Sequence, residues 1–263
     1  APTFTPDGRL LQVEYASTAA ELSTPIVALQ VDNETLVLVT LKSTTTPQNR
    51  IIVLPTRGNG KNKGSYASHV CIAMSGVLAD SISLIQVGLR DASEQYKQFH
   101  APTTVFQLAT SMANACQSHC FGGGIRPYGC SLLTCGFTSS GELALYQTDP
   151  SGAIQASTAF PPAGRASFLR WLVGGSTSLQ RKLRKQLDSQ LYKPKETPPL
   201  LEVLAFVGRT LMKETQKQVE KVGSMGSQDS PLDSMILEAV VMNRKLGCYR
   251  LSRSQIRSIM EKF

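Results

Sequence analysis

Apolar and polar positions change period several times along the chain, and each change predicts a new element. After the Pro6-Asp7-Gly8 turn signal, Leu10, Val13, Ala16 and Ala20 recur near helical spacing, with Arg9, Gln12, Ser17 and Glu21 between them. A helix over 8–22 follows, with Asp7 expected to cap its first turn. P-I-V-A-L-Q-V and T-L-V-L-V-T-L-K then flank Asp32-Asn33-Glu34, the pattern of a hairpin. Its runs are nearly continuous in apolar residues, so both faces of its sheet should be covered.

Short strands are expected over 50–54 and 69–74, separated by a loop over 57–66. Leu78, Ile82, Ile85, Val87, Leu89 and Ala92 predict a helix over 77–99, and a second helix follows over 103–120, ended by Gly122-Gly123-Gly124. Strands are expected over 129–137, 142–147 and 153–158. Beyond them come a helix over 164–172, a basic linker, a helix over 199–214, a Gly/Ser loop over 223–230, strands over 235–242 and 247–251, and a last helix from Ser252. Strands arrive in runs and helices in pairs, which is not the alternation of a parallel βαβ fold. The expectation is α+β: antiparallel sheets with a pair of helices on each outer face, a four-layer α/β/β/α sandwich.

Composition narrows the class. The 263 residues are 41% hydrophobic and 17% charged, an ordinary globular balance with ample material for a core. No run approaches the roughly 18 apolar residues of a membrane span. The N-terminus lacks a basic-then-apolar pattern, so secretion is not expected. The six cysteines have no framework spacing and read as reduced, mostly buried thiols. The net charge is +8, with much of the excess in 57–63 and 181–195. No aromatic residues interleave with it as a stacking platform, so no nucleic-acid partner is read from it.

Candidate chemistry is sparse. G-N-G-K-N-K-G-S lacks the Lys-Ser/Thr spacing of a phosphate loop and reads as a surface loop. Cys116-x-x-His119-Cys120 lacks a second half, and its i, i+4 cysteines suit a helix core face, so no metal is expected. Three histidines and no G-x-S-x-G elbow give little support to a histidine triad. Thr24 stands where an N-terminal threonine nucleophile would open the first strand. It would need cleavage before it to free the amine that serves as base. The helix ahead of Thr24 reads as folded structure, and no catalytic residue or cofactor is assigned. Arg181, Lys182, Arg184 and Lys185 could form a nuclear-import signal, against the simpler reading of a solvated helix surface.

F-T-P-D-G-R-L-L-Q-V-E-Y-A, from Phe4 to Ala16, closely resembles the N-terminal signature of proteasome α-type subunits, the non-catalytic outer-ring subunits of the 20S core particle. M-S-G-V-L-A-D (Met74 to Asp80), G-G-I-R-P-Y-G-C-S-L-L (Gly123 to Leu133) and L-Y-Q-T-D-P-S-G (Leu145 to Gly152) follow in the family's order. The resemblance implies the sandwich fold of N-terminal-nucleophile hydrolases, with an extra N-terminal helix. In the family this helix plugs the cleft that is the active site of the related β subunits and packs on neighbouring subunits.

The resemblance also implies partners: other α subunits in a heteroheptameric ring, a β ring beneath, and regulatory particles or activators docking above. The implied setting is ubiquitin-dependent and other protein degradation in cytoplasm and nucleus. Pro6 and Tyr15 match the turn proline and helix tyrosine that help hold an open gate. Arg50 corresponds to a lysine that binds the carboxylate of activator tails, and Arg can pair with a carboxylate bidentately. Gly76 matches a glycine whose backbone lines the same pocket, while Arg9, Gln12 and Glu14 belong to the ring-packing helix. The Tyr-Asp pair that usually precedes the signature is absent, so a gate-forming tail is expected to be missing, shortened or cut away. E-Y-A-S-T-A-A and S-L-L-T-C-G lean toward the second α-type position.

Overall fold

A computed structural model describes residues 4–32, 34–44, 48–54, 70–122, 125–157, 169–191, 200–222 and 235–262. Contacts divide the chain into two compact units, Ala1–Ser23 with Ile52–Thr158, and Thr24–Ile51 with Ala159–Phe263.

The first unit carries α1 (Leu11–Glu21) and a sheet of five strands in the order β3-β4-β5-β6-β7, comprising β3 (Ile51–Leu54), β4 (Val70–Gly76), β5 (Cys130–Phe137), β6 (Leu143–Thr148) and β7 (Ile154–Ser157). The pairings β4–β5, β5–β6 and β6–β7 are antiparallel. Helices α2 (Leu78–Phe99) and α3 (Val105–Phe121) cover one face of this sheet. Side chains alternate across a strand, so Val70, Ile72 and Met74 point together and pack with Leu84, Ile85, Leu108 and Met112 of the helices. The start of α3 is set by a capping box. The Thr104 hydroxyl accepts from the Gln107 N–H at 3.2 Å, and the Thr104 N–H donates to Gln107 Oε1 at 2.9 Å.

The second unit has a five-stranded sheet in the order β10-β9-β2-β1-β8. Its strands are β1 (Ile26–Asp32), β2 (Thr35–Ser43), β8 (Leu169–Val173), β9 (Met235–Asn243) and β10 (Gly247–Arg250), and every neighbouring pair is antiparallel. The expected hairpin is β1–β2, with Ile26 opposite Thr40. The seven residues Thr35 to Leu41 are all buried, as its apolar runs required. Helices α4 (Thr177–Leu191) and α5 (Leu200–Val222) pack Leu179, Leu183, Val203, Val207 and Leu211 onto Val27, Leu29, Val37 and Val39. The last helix, α6 (Arg253–Lys262), is opened by a second capping box. Ser252 donates its N–H to Gln255 Oε1 at 2.8 Å, and its hydroxyl accepts from the Gln255 N–H at 3.3 Å.

The α+β class and the antiparallel sheets are as expected; three local expectations are corrected. Residues 169–173, read as part of a helix over 164–172, are the edge strand β8, because Leu172 and Val173 pair with Val27 and Ile26 across the sheet. The basic linker is in large part helix α4, held by buried Leu179 and Leu183 one turn apart. The helix placed over 199–214 runs on to Val222. The loops over 57–66 and 223–230, and A-F-P-P-A-G-R at 159–165, lie outside the described residues.

Candidate functional site

The N-terminal signature folds as a turn clasped by Thr5. Its N–H donates to the Arg9 carbonyl at 2.9 Å, its carbonyl accepts from Gly8 at 2.8 Å, and its hydroxyl accepts from the Arg9 N–H at 3.0 Å. Gly8 lies at φ +78°, a left-handed conformation that glycine adopts without penalty. Asp7 does not cap the helix: α1 begins only at Leu11, and Leu10 at the N-cap has no side chain able to accept. The acidic residue of the first turn is Glu14. Arg9 reaches it with Nε at 2.7 Å from Oε1, while Nη2 donates to Oε2. The hydrogen bond to Arg9 holds the Glu14 carboxyl below the usual carboxylate range. The pair ties the turn to the helix that follows.

One side of α1 is made of small residues. Ala16 and Ala20 are buried, and the Ala20 carbonyl accepts from the Ser75 hydroxyl at 3.1 Å. Beneath it the backbone of β4 bends at Gly76, at φ +102°. A Cβ there would lie 2.3 Å from the Gly129 carbonyl oxygen and 3.2 Å from the Ala20 Cα. The other side of α1 carries Leu11, Gln12 and Tyr15 outward, with Tyr15 60% exposed, and Pro6 is exposed in the turn before it.

The loop before β5 is fixed by an ion pair that the sequence analysis did not assign. Asp80, buried in the first turn of α2, accepts two hydrogen bonds of 2.6 Å from Arg126 and one of 2.9 Å from the Gly129 N–H. The Arg126 guanidinium, then the Gly129 N–H, hold its carboxyl below the usual range, against burial that pushes it up. His119 stacks on Tyr128 with ring centroids 4.2 Å apart, and its Nδ1 lies 3.2 Å from the Arg126 carbonyl. A signal was present: Asp80 closes the M-S-G-V-L-A-D segment and Arg126 lies in G-G-I-R-P-Y-G-C-S-L-L, opposite charges beside two predicted helix ends.

Pro6, Arg9, Gln12, Glu14, Tyr15 and Gly76 therefore all lie in the first unit, on or under α1. Arg50 belongs to the second unit. Its N–H donates to Glu238 Oε2 at 2.8 Å, the Ile51 N–H donates to Oε1 at 3.3 Å, and the Arg250 guanidinium bonds both Glu238 and the Ile51 carbonyl. Burial lowers the pKa of the half-buried Arg50 guanidinium, and the nearby Glu238 charge opposes that shift. Thr24, also in this unit, directs its hydroxyl to the Leu41 carbonyl at 3.1 Å, and its nitrogen is the amide that joins it to Ser23. Cys116 and Cys120 lie on the core face of α3, and the Cys120 thiol donates to the Pro150 carbonyl at 3.1 Å. Among the described residues no three His, Cys, Asp or Glu side chains cluster as a metal site, and no helix is long and apolar enough to cross a membrane.

Comparison with known proteins places this arrangement. Residues 23–167 match the family profile of the proteasome subunit, and residues 1–19 match the N-terminal signature of the A-type proteasome subunits. The chain is 34% identical over 152 residues to proteasome subunit alpha type-2 of Trypanosoma brucei brucei, covering 58% of this chain and 62% of that protein. It is 31% identical over 186 residues to proteasome subunit alpha type-2 of Dictyostelium discoideum, covering 71% and 74%. It is 34% identical over 165 residues to proteasome subunit alpha type-4 of Saccharomyces cerevisiae, covering 62% of each. The chain thus spans less than two thirds of the length of several curated relatives that it matches. With the family profile matched over more than half its length and the α-type signature at its N-terminus, the chain belongs to the proteasome subunit family, as an α-type member.

Proposed function

We propose that this chain is a non-catalytic α subunit of a 20S proteasome core, one member of a heteroheptameric outer ring stacked on a β ring. The ring controls passage of substrates and docks regulatory particles or activators, in ubiquitin-dependent and other protein degradation, in cytoplasm and nucleus. The observation that carries this reading is α1 itself. It is seated on β4 and β5 through Ala16, Ala20 and Ser75, while Leu11, Gln12 and Tyr15 on its outer side are exposed. A helix packed this way is part of the fold rather than a disposable leader. With it attached, Thr24 has no free amine to act as base. The second ring position is supported by the alpha type-2 names of two relatives.

The test is native mass spectrometry of the assembly that co-purifies with the tagged chain, followed by intact masses of the released subunits. A stacked multi-subunit particle containing this chain with residues 1–23 attached is expected. A monomer, or a chain starting at Thr24 with threonine-dependent peptidase activity, would replace this reading with that of an N-terminal-threonine hydrolase.

A further inference from the structure

The outer layer of the second unit carries a face of positive charge. Leu179 and Leu183, one turn apart, turn into the core and fix which side of α4 meets the sheet. Successive helical residues are about 100° apart, so Arg181, Arg184 and Lys185 fall within about 60° of the outward direction and Lys182 flanks them. All four are exposed. Over Thr177–Leu191 the sequence sets one acid, Asp188, against these four cations. Neighbouring α5 adds exposed Lys213 and Lys217. The acid set between the two helices, Glu214, is turned inward. Its side chain is 3% exposed and accepts from Lys217 Nζ at 2.8 Å and Gln186 Nε2 at 3.4 Å. The Lys217 hydrogen bond, then that of Gln186 and the Lys182 charge, hold its carboxyl below the usual range, against burial that pushes it up. Glu214 thus serves Lys217 and Lys182. Among the described residues, no acidic side chain forms an ion pair with Arg181, Arg184 or Lys185.

We infer that this face is a docking surface for an acidic segment of a protein partner, a run of closely spaced Asp or Glu laid along α4. Arg181 and Arg184 present planar forks that take a carboxylate bidentately, and Lys182 and Lys185 add point charges beside them. Arg181 and Lys185 are one turn, about 6 Å, apart along the helix. Carboxylates recur at that spacing on one side of a partner helix, or at alternate positions of an extended strand. Nucleic acid fits the face less well. α4 has no aromatic residue on which a base could stack, and about one turn of cations reaches few of the phosphates that a duplex-binding protein neutralises. A membrane surface fits less well again, because no large apolar side chain of α4 is exposed among the described residues to enter the lipid. The face belongs to the second unit alone, so its binding does not depend on entry into a ring.

The test titrates the full chain into a fluorescein-labelled peptide of repeating Glu-Glu-Ser and follows anisotropy at several salt concentrations. Binding that weakens with salt is expected, at least about tenfold weaker when Arg181→Glu, Arg184→Glu and Lys185→Glu are combined. The same charge change placed elsewhere, as Lys97→Glu, Arg244→Glu and Arg257→Glu, should leave most of the affinity in place. Carbodiimide coupling on the unaltered chain should join the peptide's carboxylates to Lys182 or Lys185, so the result stands even where a variant folds poorly. No binding of the peptide, equal losses in the two triple variants, or coupling confined to other lysines overturns the inference. Tighter binding of a DNA duplex of equal charge through the same cations overturns it in favour of a nucleic-acid surface.

Discussion

Arg126 grips Asp80 with two parallel N–H···O bonds of 2.6 Å, although 46 positions separate them in sequence. The carboxylate is buried and the guanidinium is mostly exposed, so the pair is a lid on a buried charge rather than a surface ornament. The same carboxylate takes the Gly129 N–H, and so sets the backbone that meets Gly76. Asp80→Ala leaves Arg126 and the Gly129 N–H without this acceptor and should cost about 2 kcal/mol, the scale of a charged hydrogen bond lost from a partly buried site. Urea unfolding of the two proteins measures it, and an unchanged midpoint rules the pair out as a structural tie.

The pH dependence of that pair has a definite sign. The folded-state pKa of Asp80 lies below its unfolded value, because Arg126 and then Gly129 stabilise the charged form. Its contribution to stability is therefore fully present above the unfolded pKa of about 3.9 and is lost as pH falls through the folded pKa. The difference in unfolding free energy between the native chain and Asp80→Asn should shrink as pH is lowered through that window. A difference independent of pH from neutral to acid excludes the ionised carboxylate as the operative form.

Much of this was legible in the chain because the controlling interactions are local. The hairpin of β1 and β2 could be read from two β-branched runs around a short polar turn, and α2 could be placed from the spacing of its apolar residues. The edge strand β8 was not legible. S-F-L-R-W-L-V suits a helix or a strand by composition, and the choice is made by pairing with β1, which lies far away in sequence. Helix α4 was hidden by its charges: only Leu179 and Leu183 are buried along its described part, beneath exposed Arg181, Lys182, Arg184 and Lys185. Asp7 looked like a cap, but the Thr5 clasp delays the helix by a turn. The N-terminal signature itself was legible in the sequence. The glycine floor under it depends on a backbone contact between Gly76 and Gly129 that no local pattern encodes.

That floor gives a second stability prediction. Gly76→Ala places a methyl 2.3 Å from a backbone oxygen at a φ that side chains rarely adopt. Neither atom is the end of a flexible side chain, so β4, α1 or the loop before β5 must shift. Backbone strain and overpacking together suggest a loss of about 3 kcal/mol. Limited proteolysis should show earlier cutting within residues 4–22 than in the parent chain. Unaltered cutting and stability would mean that α1 does not rest on Gly76.

In the second unit one buried charge is Glu238, whose side chain is 2% exposed and receives the Arg50 and Ile51 N–H groups as well as Arg250. Arg250→Ala removes the countercharge but leaves the carboxylate buried, so it should cost about 3 kcal/mol. Adding Glu238→Gln to that variant should restore part of the loss, because the uncompensated charge is gone and the amide oxygen still accepts from one of the two backbone donors. Thermal unfolding of the single and double variants measures the coupling, and strictly additive losses would show that the two side chains act separately.

The outward side of α1 calls for a test in which stability and assembly separate. Tyr15 is 60% exposed and Gln12 is exposed beside Leu11, so in the isolated chain their loss removes little packing. Surface changes of this kind normally alter stability by no more than about 0.5 kcal/mol. In an assembled ring the same side chains would be covered by a neighbour, and a buried tyrosine is among the residues whose truncation costs most at an interface, about 2 kcal/mol or more. Tyr15→Ala with Gln12→Ala should therefore leave the unfolding midpoint of the isolated chain unchanged while lowering its incorporation into the co-purifying particle at least tenfold. Arg9→Ala separates the two possible origins of such an effect. It breaks the exposed pair with Glu14, which ties the turn to the helix, without touching the outward apolar side. If incorporation falls with Tyr15 and Gln12 but not with Arg9, the apolar side makes the contact. If it falls with Arg9 alone, the turn that holds Pro6 is the contacting part. Full incorporation of all three variants would remove α1 from the interface and, with it, the main support for the ring-subunit reading.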